Sequence, residues 1–512
     1  MARLTVFIGF MGAGKTTLAR ELAAARGVEH VDTDDLLRRH FGRPIQEVFD
    51  TDGEAVFRAA EEETALRLLS GDDDLVVSVG GGTVLSDRVA AALAGHTTVL
   101  VEVSAELAWQ RAAGHGRPLA RDRAGFEALY DRRLRRYETL ADAFLPEAAD
   151  RHVAARADGA LRTLQDAPPG TRLAWAHAAS GEYPVFVGRG ALALAPGAGT
   201  ALAGRAVCVT DTAVAEHHVG ALHGLAGLVE IPPGEAHKTL ATAERVWHAL
   251  VAQGVTRADH LIALGGGVVG DLAGFCAACF QRGIPVVQAP TTIVSQVDSA
   301  YGGKTGVDLP EAKNYVGAYH QPAAVLADTS TLATLPPEEH AAGYAEVLKT
   351  ALIAGGPLWE TIAAGGPVDD DVILACARTK LAVVASDERD GGRRQVLNLG
   401  HTVGHALETV LGYGTLRHGE AVGLGLLAAL RLSGLPDLRE EVAGLLGAAG
   451  LPTTLPDVDA DAVLAATRLD KKRTSQARTP FVLVRAAGDV VHGETVGDDD
   501  VALAVRELAA TS

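Results

Sequence analysis

One glycine-rich loop near the start of the chain restricts its fold more than any other segment. The sequence GFMGAGKT, Gly9 to Thr16, follows the apolar stretch LTVFI and precedes TLARELAAA. It fits the pattern G-x-x-x-x-G-K-[ST], whose glycines let backbone N–H groups close around phosphate at a helix N-terminus. Lys15 is expected to reach the β and γ phosphates, and Thr16 to hold Mg²⁺. The chain is therefore expected to begin with an α/β domain that binds a nucleoside triphosphate. The expected nucleotide contacts in the loop are Gly12, Ala13, Gly14, Lys15, Thr16 and Thr17.

Strand and helix signals divide the rest of the chain. Its 512 residues exceed what one hydrophobic core supports, so several domains are predicted. Residues 1–163 alternate apolar strands (LTVFIGF, LVVSVGG, TTVLVEV) with charged helical stretches, as in a parallel sheet. The prolines and glycine of LQDAPPGTRL break this pattern and predict a linker at 164–179. Strands and helices alternate again over 180–335, whereas 336–512 has mainly helical spacing. The predicted fold class is α/β, with a mainly α-helical last domain.

Composition argues against several classes of partner. The formal net charge of −18 is unfavourable for nucleic acid or an anionic membrane, so neither is expected to bind. We find no apolar run of about eighteen residues and no signal-peptide pattern, which predicts a cytoplasmic protein without a membrane span. Four cysteines are too few for a disulfide framework, and the CxxC pair Cys276 and Cys279 is interpreted as packing. Anionic substrates would require locally concentrated cationic groups.

Three histidines near residue 400 predict a metal site. LNLGHTVGHALET and RHGEA place His401, His405 and His418 within eighteen residues. His401 and His405 are four apart in an apolar helical segment, so their rings are expected on one face. Imidazole is the commonest metal ligand, and the alternative is a chance cluster of packed histidines.

A second glycine-rich loop predicts another phosphate-binding turn. GGGVVGD, Gly265 to Asp271, follows the apolar strand HLIAL and leads into LAGFCAA. Its glycines permit a close backbone approach to a pyrophosphate at a helix start, although such turns are common. Lys304 and Lys313 lie in the following polar stretches and are candidates for binding an anionic substrate or a cofactor phosphate.

Residues 1–163 resemble shikimate kinase. The resemblance rests on VDTDD around Asp32 and Asp34, GEAVFRAAE around Arg58, VGGGTVL and GRPLA. It implies ATP with Mg²⁺ held by Thr16 and Asp32, and Lys15 and Asp34 as catalytic groups. It further implies ATP binding by Arg117 on a mobile lid and shikimate binding by four residues. These are Asp34, Arg58, Gly81 and Arg133.

The segment that contains the arginine expected to clamp the shikimate carboxylate departs from the family pattern. Where the family usually has R-x-P-L-Y, this chain has RLRRY, which ends at Tyr137. Arg133 is assigned by its spacing from Tyr137, and Arg132, Arg135 or Arg136 remain alternatives. Arginine forks match carboxylates bidentately, so any of them has suitable chemistry.

Residues 180–512 resemble 3-dehydroquinate synthase. The resemblance rests on PPGEAHKT, GGGVVGD, YAEVLK at 344–349 and the histidine cluster. It implies a catalytic zinc (or cobalt) bound by Glu346, His401 and His418, with His405 as a catalytic or substrate-binding group. Two histidines and a glutamate leave zinc an open position, which is typical of a catalytic site.

The same resemblance implies NAD and substrate contacts. The implied NAD contacts are Asp211, Glu235, Lys238, Gly267, Val268, Val269, Gly270, Asp271, Thr291, Thr292, Lys304, Lys313, Thr331 and Thr334. The implied substrate contacts are Arg282, Asp298, Asn314, Lys349, Lys380, Arg394, Asn398 and His405, with His405, Lys304, Lys349 and Arg394 as catalytic groups. One of Lys471 and Lys472 is expected in the same pocket.

Together the two resemblances predict a bifunctional enzyme of aromatic amino-acid biosynthesis. One activity would phosphorylate shikimate with ATP, and the other would convert 3-deoxy-D-arabino-heptulosonate 7-phosphate into 3-dehydroquinate and phosphate. The synthase resemblance also implies a homodimer through the C-terminal half. The alternatives are another sugar-phosphate cyclase of secondary metabolism, or a half that has become a non-catalytic regulatory module.

Overall fold

The computed structural model contains two compact units. It describes residues 3–112, 122–147, 152–195, 197, 199–200, 202–412, 414–455, 458–471 and 479–509, without the side chains of 469–471. The first unit spans Met1–Ala176 with the short segments Pro184–Phe186 and Ala198–Ala201. The second spans His177–Tyr183, Val187–Gly197 and Leu202–Ser512. Strands β6 (Arg172–Ala178) and β7 (Gly181–Val187) each contribute residues to both units, and β6 lies in the segment predicted as a linker.

The first unit is a parallel sheet with helices between its strands. The strand order is β2-β3-β1-β4-β5, and each of these neighbours is parallel. Runs such as TTVLV are buried along their whole length, as expected for a sheet covered on both faces. Its own elements are β1 (Thr5–Ile8), α1 (Lys15–Arg26), β2 (Glu29–Asp32), α2 (Thr33–Phe41), α3 (Ile45–Thr51), α4 (Glu54–Leu69), β3 (Leu75–Ser78), α5 (Asp87–Leu93), β4 (Thr97–Val101), α6 (Ala105–Ala112), α7 (Arg123–Leu140), β5 (Ala143–Leu145), α8 (Val153–Arg156) and α9 (Asp158–Gln165).

The second unit begins with another parallel sheet. Its strands run in the order β9-β8-β10-β11-β14 and are all parallel. Helices α11 and α12 pack their apolar residues against this sheet in one continuous core. The elements are β8 (Ala206–Asp211), α10 (Thr212–His218), β9 (Leu225–Ile231), α11 (Leu240–Ala252), β10 (His260–Gly265), α12 (Gly267–Cys279), β11 (Val286–Pro290), β12 (Lys304–Leu309), β13 (Ala312–Tyr319) and β14 (Ala324–Ala327).

Helices dominate the remainder of this unit, which confirms the predicted fold class. Helix α17 is buried along most of its length and packs against both α13 and α16. The elements are α13 (Pro337–Ala354), α14 (Gly356–Ala363), α15 (Asp370–Ser386), α16 (His401–Leu411), α17 (His418–Leu432), α18 (Pro436–Ala448), α19 (Ala460–Lys471), β15 (Pro480–Ala486), β16 (Asp489–Thr495) and α20 (Asp498–Arg506).

Two antiparallel hairpins were not predicted from the sequence. They are β12–β13 and β15–β16. The polar residues that punctuate 304–319 hid the strand alternation of the first, and the helical surroundings hid the second. Across the described ranges, no helix combines the length and hydropathy needed to cross a membrane.

Candidate functional sites

The first glycine-rich loop joins β1 to α1, as predicted. Gly14 has φ 95°, a left-handed conformation that favours glycine, and α1 begins at the next residue. The Lys15 Nζ donates to the Gly9 carbonyl at 2.9 Å and to the Phe10 carbonyl at 3.1 Å. The loop therefore presents an ammonium group and a helix N-terminus together, which suits a polyphosphate.

Thr16 and Asp32 are brought together at the same edge of the sheet. Thr16 Oγ1 donates to Asp32 Oδ2 at 2.7 Å, and Ser78 Oγ donates to the same oxygen at 2.8 Å. Asp32 also caps α2 by accepting from Asp34 N at 2.9 Å. Burial alone would raise the pKa of Asp32, but these hydrogen bonds outweigh it and lower the pKa. A hydroxyl beside an ionised carboxylate is suitable for Mg²⁺.

A polar cluster surrounds the GGG turn after β3. Arg58 Nη1 lies 2.6 Å from Glu61 Oε2, and Glu61 Oε1 accepts from Thr83 Oγ1 at 2.8 Å. A Cβ at Gly82 would lie 2.0 Å from Arg58 Nη1, so glycine leaves the room that the guanidinium occupies. Burial, with the charge of Asp32, raises the pKa of the Asp34 carboxyl. The turn thus lies beside a guanidinium and two carboxyl groups.

Arg133 is the buried member of the four clustered arginines. Its Nη1 donates to the Gly81 carbonyl at 3.3 Å, and its buried Nε has no hydrogen-bond partner in the described structure. Tyr137 OH donates to the same carbonyl at 2.5 Å. Arg136 instead pairs with Asp87 at 2.6 Å. This placement favours Arg133 as the clamp, whereas Arg117 lies outside the described residues.

The second glycine-rich loop joins β10 to α12. A Cβ at Gly266 would lie 3.0 Å from Thr292 Cγ2, and one at Gly270 would lie 2.9 Å from Gln288 Oε1. Gly267, Val268 and Val269 form the first turn of α12. The loop is therefore a cradle in which glycine permits close packing at a helix N-terminus, as a bound dinucleotide requires.

Lys238 joins several predicted NAD contacts in one charged network. Its buried Nζ lies 2.7 Å from Asn314 Oδ1, 3.0 Å from Glu235 Oε1 and 3.4 Å from Asp271 Oδ2. Burial raises the pKa of Asp271 to about 6 despite the charge of Lys238. Asp308, which sequence reasoning missed, lies 3.7 Å from the same Nζ.

The remaining predicted NAD contacts occupy loops and helix starts around the sheet. Asp211 caps α10 through Ala213 N and Val214 N. Thr291 N donates to the Gly265 carbonyl at 3.0 Å, and Thr292 Oγ1 lies 2.9 Å from Ser295 Oγ. Thr331 Oγ1 lies 3.2 Å from Gln296 Nε2, and Thr334 Oγ1 lies 2.7 Å from His218 Nε2.

Glu346, His401 and His418 converge from three helices. Glu346 Oε1 on α13 lies 3.6 Å from His401 Nε2 on α16 and 3.4 Å from His418 Nε2 at the start of α17. These ligand atoms lie within 4.8 Å of one another. Neither buried oxygen of Glu346 accepts a hydrogen bond of ordinary geometry in the described structure, although the Lys349 Nζ lies 2.5 Å from Oε2. Oε1 therefore faces both histidine nitrogens without a hydrogen bond of ordinary geometry, and the donor set of two imidazoles and a carboxylate fits zinc.

The pKa values of the two histidines shift in opposite directions. Burial, followed by the charge of Lys349, lowers the pKa of His401 to about 3. Burial would also lower that of His418, but Glu346 and Glu408 outweigh it and raise its pKa to about 9. Burial would raise the pKa of Glu346, but Lys349 and the two histidines hold it well below its usual range. His405 is exposed beside both rings, with centroids 5.2 Å from His401 and 5.9 Å from His418.

A buried charge network adjoins the histidines. Asp298, in a π-helical turn at Ser295–Ser299, pairs with Lys349 at 3.2 Å and with Lys380. Burial would raise the pKa of Asp298, but these two ammonium groups hold it below its usual range. The Lys349 ammonium thus contacts both a metal-site carboxylate and the Asp298 carboxylate.

Arg394 and Lys304 are fixed by the loop after α15. The buried Arg394 guanidinium donates to the Glu388 carbonyl at 2.5 Å and to the Gly302 carbonyl at 3.0 Å. Carbonyls orient a guanidinium without cancelling its charge, which leaves it suited to an anion. Lys304 Nζ lies 2.5 Å from Asp390 Oδ2.

The structure does not place all predicted substrate contacts at this network. Arg282 is exposed just beyond the C-terminal end of α12, whereas the glycine cradle lies at its N-terminal end. Thirteen helical residues separate the ends by about 20 Å. Asn398 is exposed before α16. The Lys471 side chain and all of Lys472 lie outside the described residues.

Two buried carboxylates at the sites were missed from the sequence. Glu61 pairs with Arg58, and Glu408 contacts Lys313 and His418. Each lies three residues after a predicted functional residue on the same helix, Arg58 or His405. The i,i+3 helical spacing was the available signal.

Family profiles match the chain in consecutive order. The profile described as shikimate kinase matches residues 11–164. Those described as 3-dehydroquinate synthase N-terminal and C-terminal match residues 228–342 and 343–473.

Individual relatives agree with these profiles. The 3-dehydroquinate synthase of Pelobacter propionicus is 43% identical over 312 residues, which cover 57% of this chain and 86% of that protein. That of Halorhodospira halophila is 44% identical over 347 residues, which cover 63% and 96%. The structure of ValA (2-epi-5-epi-valiolone synthase) from Streptomyces hygroscopicus subsp. jinggangensis 5008, with NAD⁺ and Zn²⁺ bound, is 28% identical with a TM-score of 0.58. It covers 64% of this chain and 96% of that one.

Fold, site and profiles define a two-part enzyme, in which a P-loop kinase precedes a cyclase of the lyase class. The chain belongs to the 3-dehydroquinate synthase family and carries a shikimate kinase domain ahead of the synthase. The predicted bifunctional enzyme of the shikimate pathway is thereby confirmed.

Proposed function

We propose that the second unit converts 3-deoxy-D-arabino-heptulosonate 7-phosphate into 3-dehydroquinate and phosphate with bound NAD and zinc or cobalt. The observation that carries this proposal is the buried Glu346 carboxylate between His401 and His418, with Lys349 joining it to Asp298. ValA, the structural neighbour with NAD⁺ and Zn²⁺ bound, supports the pairing of these cofactors.

Each cofactor has a fitting set of residues. Glu346, His401 and His418 would hold the metal, which supplies an electrophile that makes an alcohol proton more acidic. The α12 cradle and the Lys238 network would hold NAD, which supplies a hydride acceptor used only catalytically. The structural reasons are the crowded glycines at the start of α12, where an added Cβ would meet Thr292 or Gln288, and the Glu346 Oε1 atom, which faces both histidines.

The surrounding cations would bind and orient the substrate. Lys349 and Lys380 both pair with Asp298, so the three side chains form one charged cluster. Arg394 offers a guanidinium held by neutral carbonyls, which suits a carboxylate. His405 lies beside the predicted metal ligands but is exposed, so it can exchange a proton with substrate or water.

In the first unit we propose that Lys15, Thr16 and Asp32 bind ATP and Mg²⁺. Asp34, Arg58, Gly81 and Arg133 would bind shikimate, with Asp34 beside the attacking hydroxyl. The raised pKa of Asp34 brings its proton affinity closer to that needed for a general base. Arg117 remains a proposed lid residue.

We further propose domain limits at 1–163, 180–335 and 336–512, a cytoplasmic location and a homodimer formed through the synthase half. Sedimentation of the full chain and of a chain without residues 1–163 tests the dimer. Dimers of both are expected, and a monomeric shortened chain would contradict the assignment of the contact to the synthase.

The two activities can be tested with a reciprocal pair of variants. Lys15→Ala is expected to abolish ATP-dependent shikimate phosphorylation and to leave phosphate release from the heptulosonate 7-phosphate unchanged. Glu346→Gln is expected to do the reverse, because each residue belongs to a separate site. Kinase activity that survives Lys15→Ala would contradict the P-loop assignment.

The substrate of the synthase requires a direct comparison. Phosphate release should be measured with NAD and either the heptulosonate 7-phosphate or sedoheptulose 7-phosphate. Turnover of the first alone is expected. Preference for the second would contradict the proposed substrate and identify another sugar-phosphate cyclase.

A further inference from the structure

Glu408 connects a predicted metal ligand to the β12–β13 hairpin. It lies on α16 and is only 5% exposed. Its Oε2 lies 3.7 Å from Nδ1 of His418, and its Oε1 lies 3.3 Å from Nζ of Lys313 on β13. One oxygen of the buried Glu408 carboxylate therefore faces a predicted metal ligand, and the other faces a predicted NAD contact.

The two ring nitrogens of His418 face two different carboxylates. Nε2 is 3.4 Å from Glu346, whereas Nδ1 faces Glu408. A metal-binding imidazole usually donates its second N–H to an acceptor, and that contact fixes the tautomer and ring orientation. The 3.7 Å separation is an ion-pair contact rather than a short hydrogen bond.

We propose that Glu408 is a positioning residue for the metal site, holding Nδ1 of His418 so that Nε2 faces Glu346, while Lys313 holds the other oxygen of Glu408. The inference rests on the proposed metal site. It also gives Lys313 a second role beside its predicted contact with NAD.

The Lys313 contact matters because His418 is less buried than Glu408. His418 is the first residue of α17, and its side chain is 41% exposed. Glu408 lies within α16 and is buried, so its backbone and side chain are better fixed. A lysine on its second oxygen neutralises the buried carboxylate and restricts its rotation.

Zinc affinity of the full-length protein tests the proposal. Metal-free wild type, Glu408→Gln and Glu441→Gln are titrated with Zn²⁺ against a chromophoric chelator, with the bound metal counted per chain. Glu441 is exposed on α18 and provides the matched control. Thermal unfolding of the metal-free proteins shows whether each variant folds as the wild type does.

The expected result is one zinc per chain in all three proteins, with affinity reduced about 10- to 100-fold in Glu408→Gln only. Unchanged affinity in Glu408→Gln would overturn the proposal. Glu408, His405 and His418 could also form a second metal site, so two zincs in the wild type and one in Glu408→Gln would overturn it by making Glu408 a ligand. If the wild type binds no zinc, the proposed metal site itself fails.

A double-mutant cycle separates positioning from general support of the fold. Lys313→Met is expected to weaken zinc binding in the wild-type background and to have a smaller effect when Glu408 is already Gln, because both act through one contact. Equal effects in both backgrounds would overturn the proposed link between Lys313 and the metal site. This comparison remains informative if Glu408→Gln alone reduces stability.

Discussion

Helix α17 approaches α16 so closely that one glycine should control the metal site. A Cβ added to Gly425 would lie 1.9 Å from the Gly400 carbonyl oxygen and 3.0 Å from Gly404 N. Both atoms belong to the backbone, so neither can rotate away. Reaching an ordinary contact distance of roughly 3.5 Å would require the helices to separate by about 1.5 Å.

The change Gly425→Ala should therefore destabilise the second unit and weaken zinc binding. Overpacking typically costs about 1–3 kcal/mol, against a gain of up to about 1 kcal/mol from replacing helical glycine. The separation would also displace His401, at the start of α16, from His418, at the start of α17. Zinc affinity should fall along with stability.

Gly444→Ala provides a control of the same chemistry. Gly444 is exposed within α18, and its added Cβ would meet nothing within 4 Å. This variant should be stabilised by up to about 1 kcal/mol. The two substitutions are thus expected to have opposite signs.

The assay is thermal unfolding with and without Zn²⁺, followed at the transition that zinc shifts. Zinc titration against a chelator gives the affinity of the same samples. If Gly425→Ala matches the wild type in both measurements, the close approach does not control the site, and the reasoning from backbone contact is wrong.

Three further outcomes are expected. Arg133→Ala should raise the KM for shikimate about 10- to 100-fold, because a charged hydrogen-bond donor is lost. Arg136→Ala should leave this KM unchanged. Similar KM values for the two variants in steady-state assays would contradict the assignment of Arg133 to shikimate binding. His405→Ala should retain zinc and lose synthase turnover, whereas His401→Ala should lose both. Metal analysis and kinetics on the same samples check this. Loss of zinc in His405→Ala would show that His405 binds the metal. A zinc-selective chelator with excess Mg²⁺ should abolish synthase activity and spare kinase activity, and loss of both in parallel assays would contradict separate sites.

Local patterns were sufficient to predict several elements of the fold. The position of the P-loop between a strand and a helix could be predicted because its glycines and the flanking apolar runs are consecutive in sequence. The same holds for GGGVVGD at the start of α12 and for the four-residue spacing of His401 and His405 on α16. Propensity and periodicity act over such short distances.

The β12–β13 and β15–β16 hairpins were harder to predict from the sequence alone. Residues 304–319 mix exposed and buried positions with Gly, Lys and Asn, so their alternation is weak. Their pairing depends on contacts between strands, including Gly306 opposite Gly317. Strand propensity reflects these neighbours more than intrinsic backbone preference.

By itself, the sequence determined the order of the two enzymes and the chemical types gathered in each, because motifs and helical spacing are local. It also supplied His401, His405 and His418, but it could not fix which atoms meet. Only the tertiary structure brings Glu346 on α13 close to His401 and His418. Only the tertiary structure, too, buries Arg133 among the clustered arginines and places the Glu408 carboxylate near Nδ1 of His418. These choices depend on how distant helices pack, and packing is set by shape and burial across the whole unit rather than by spacing along the chain.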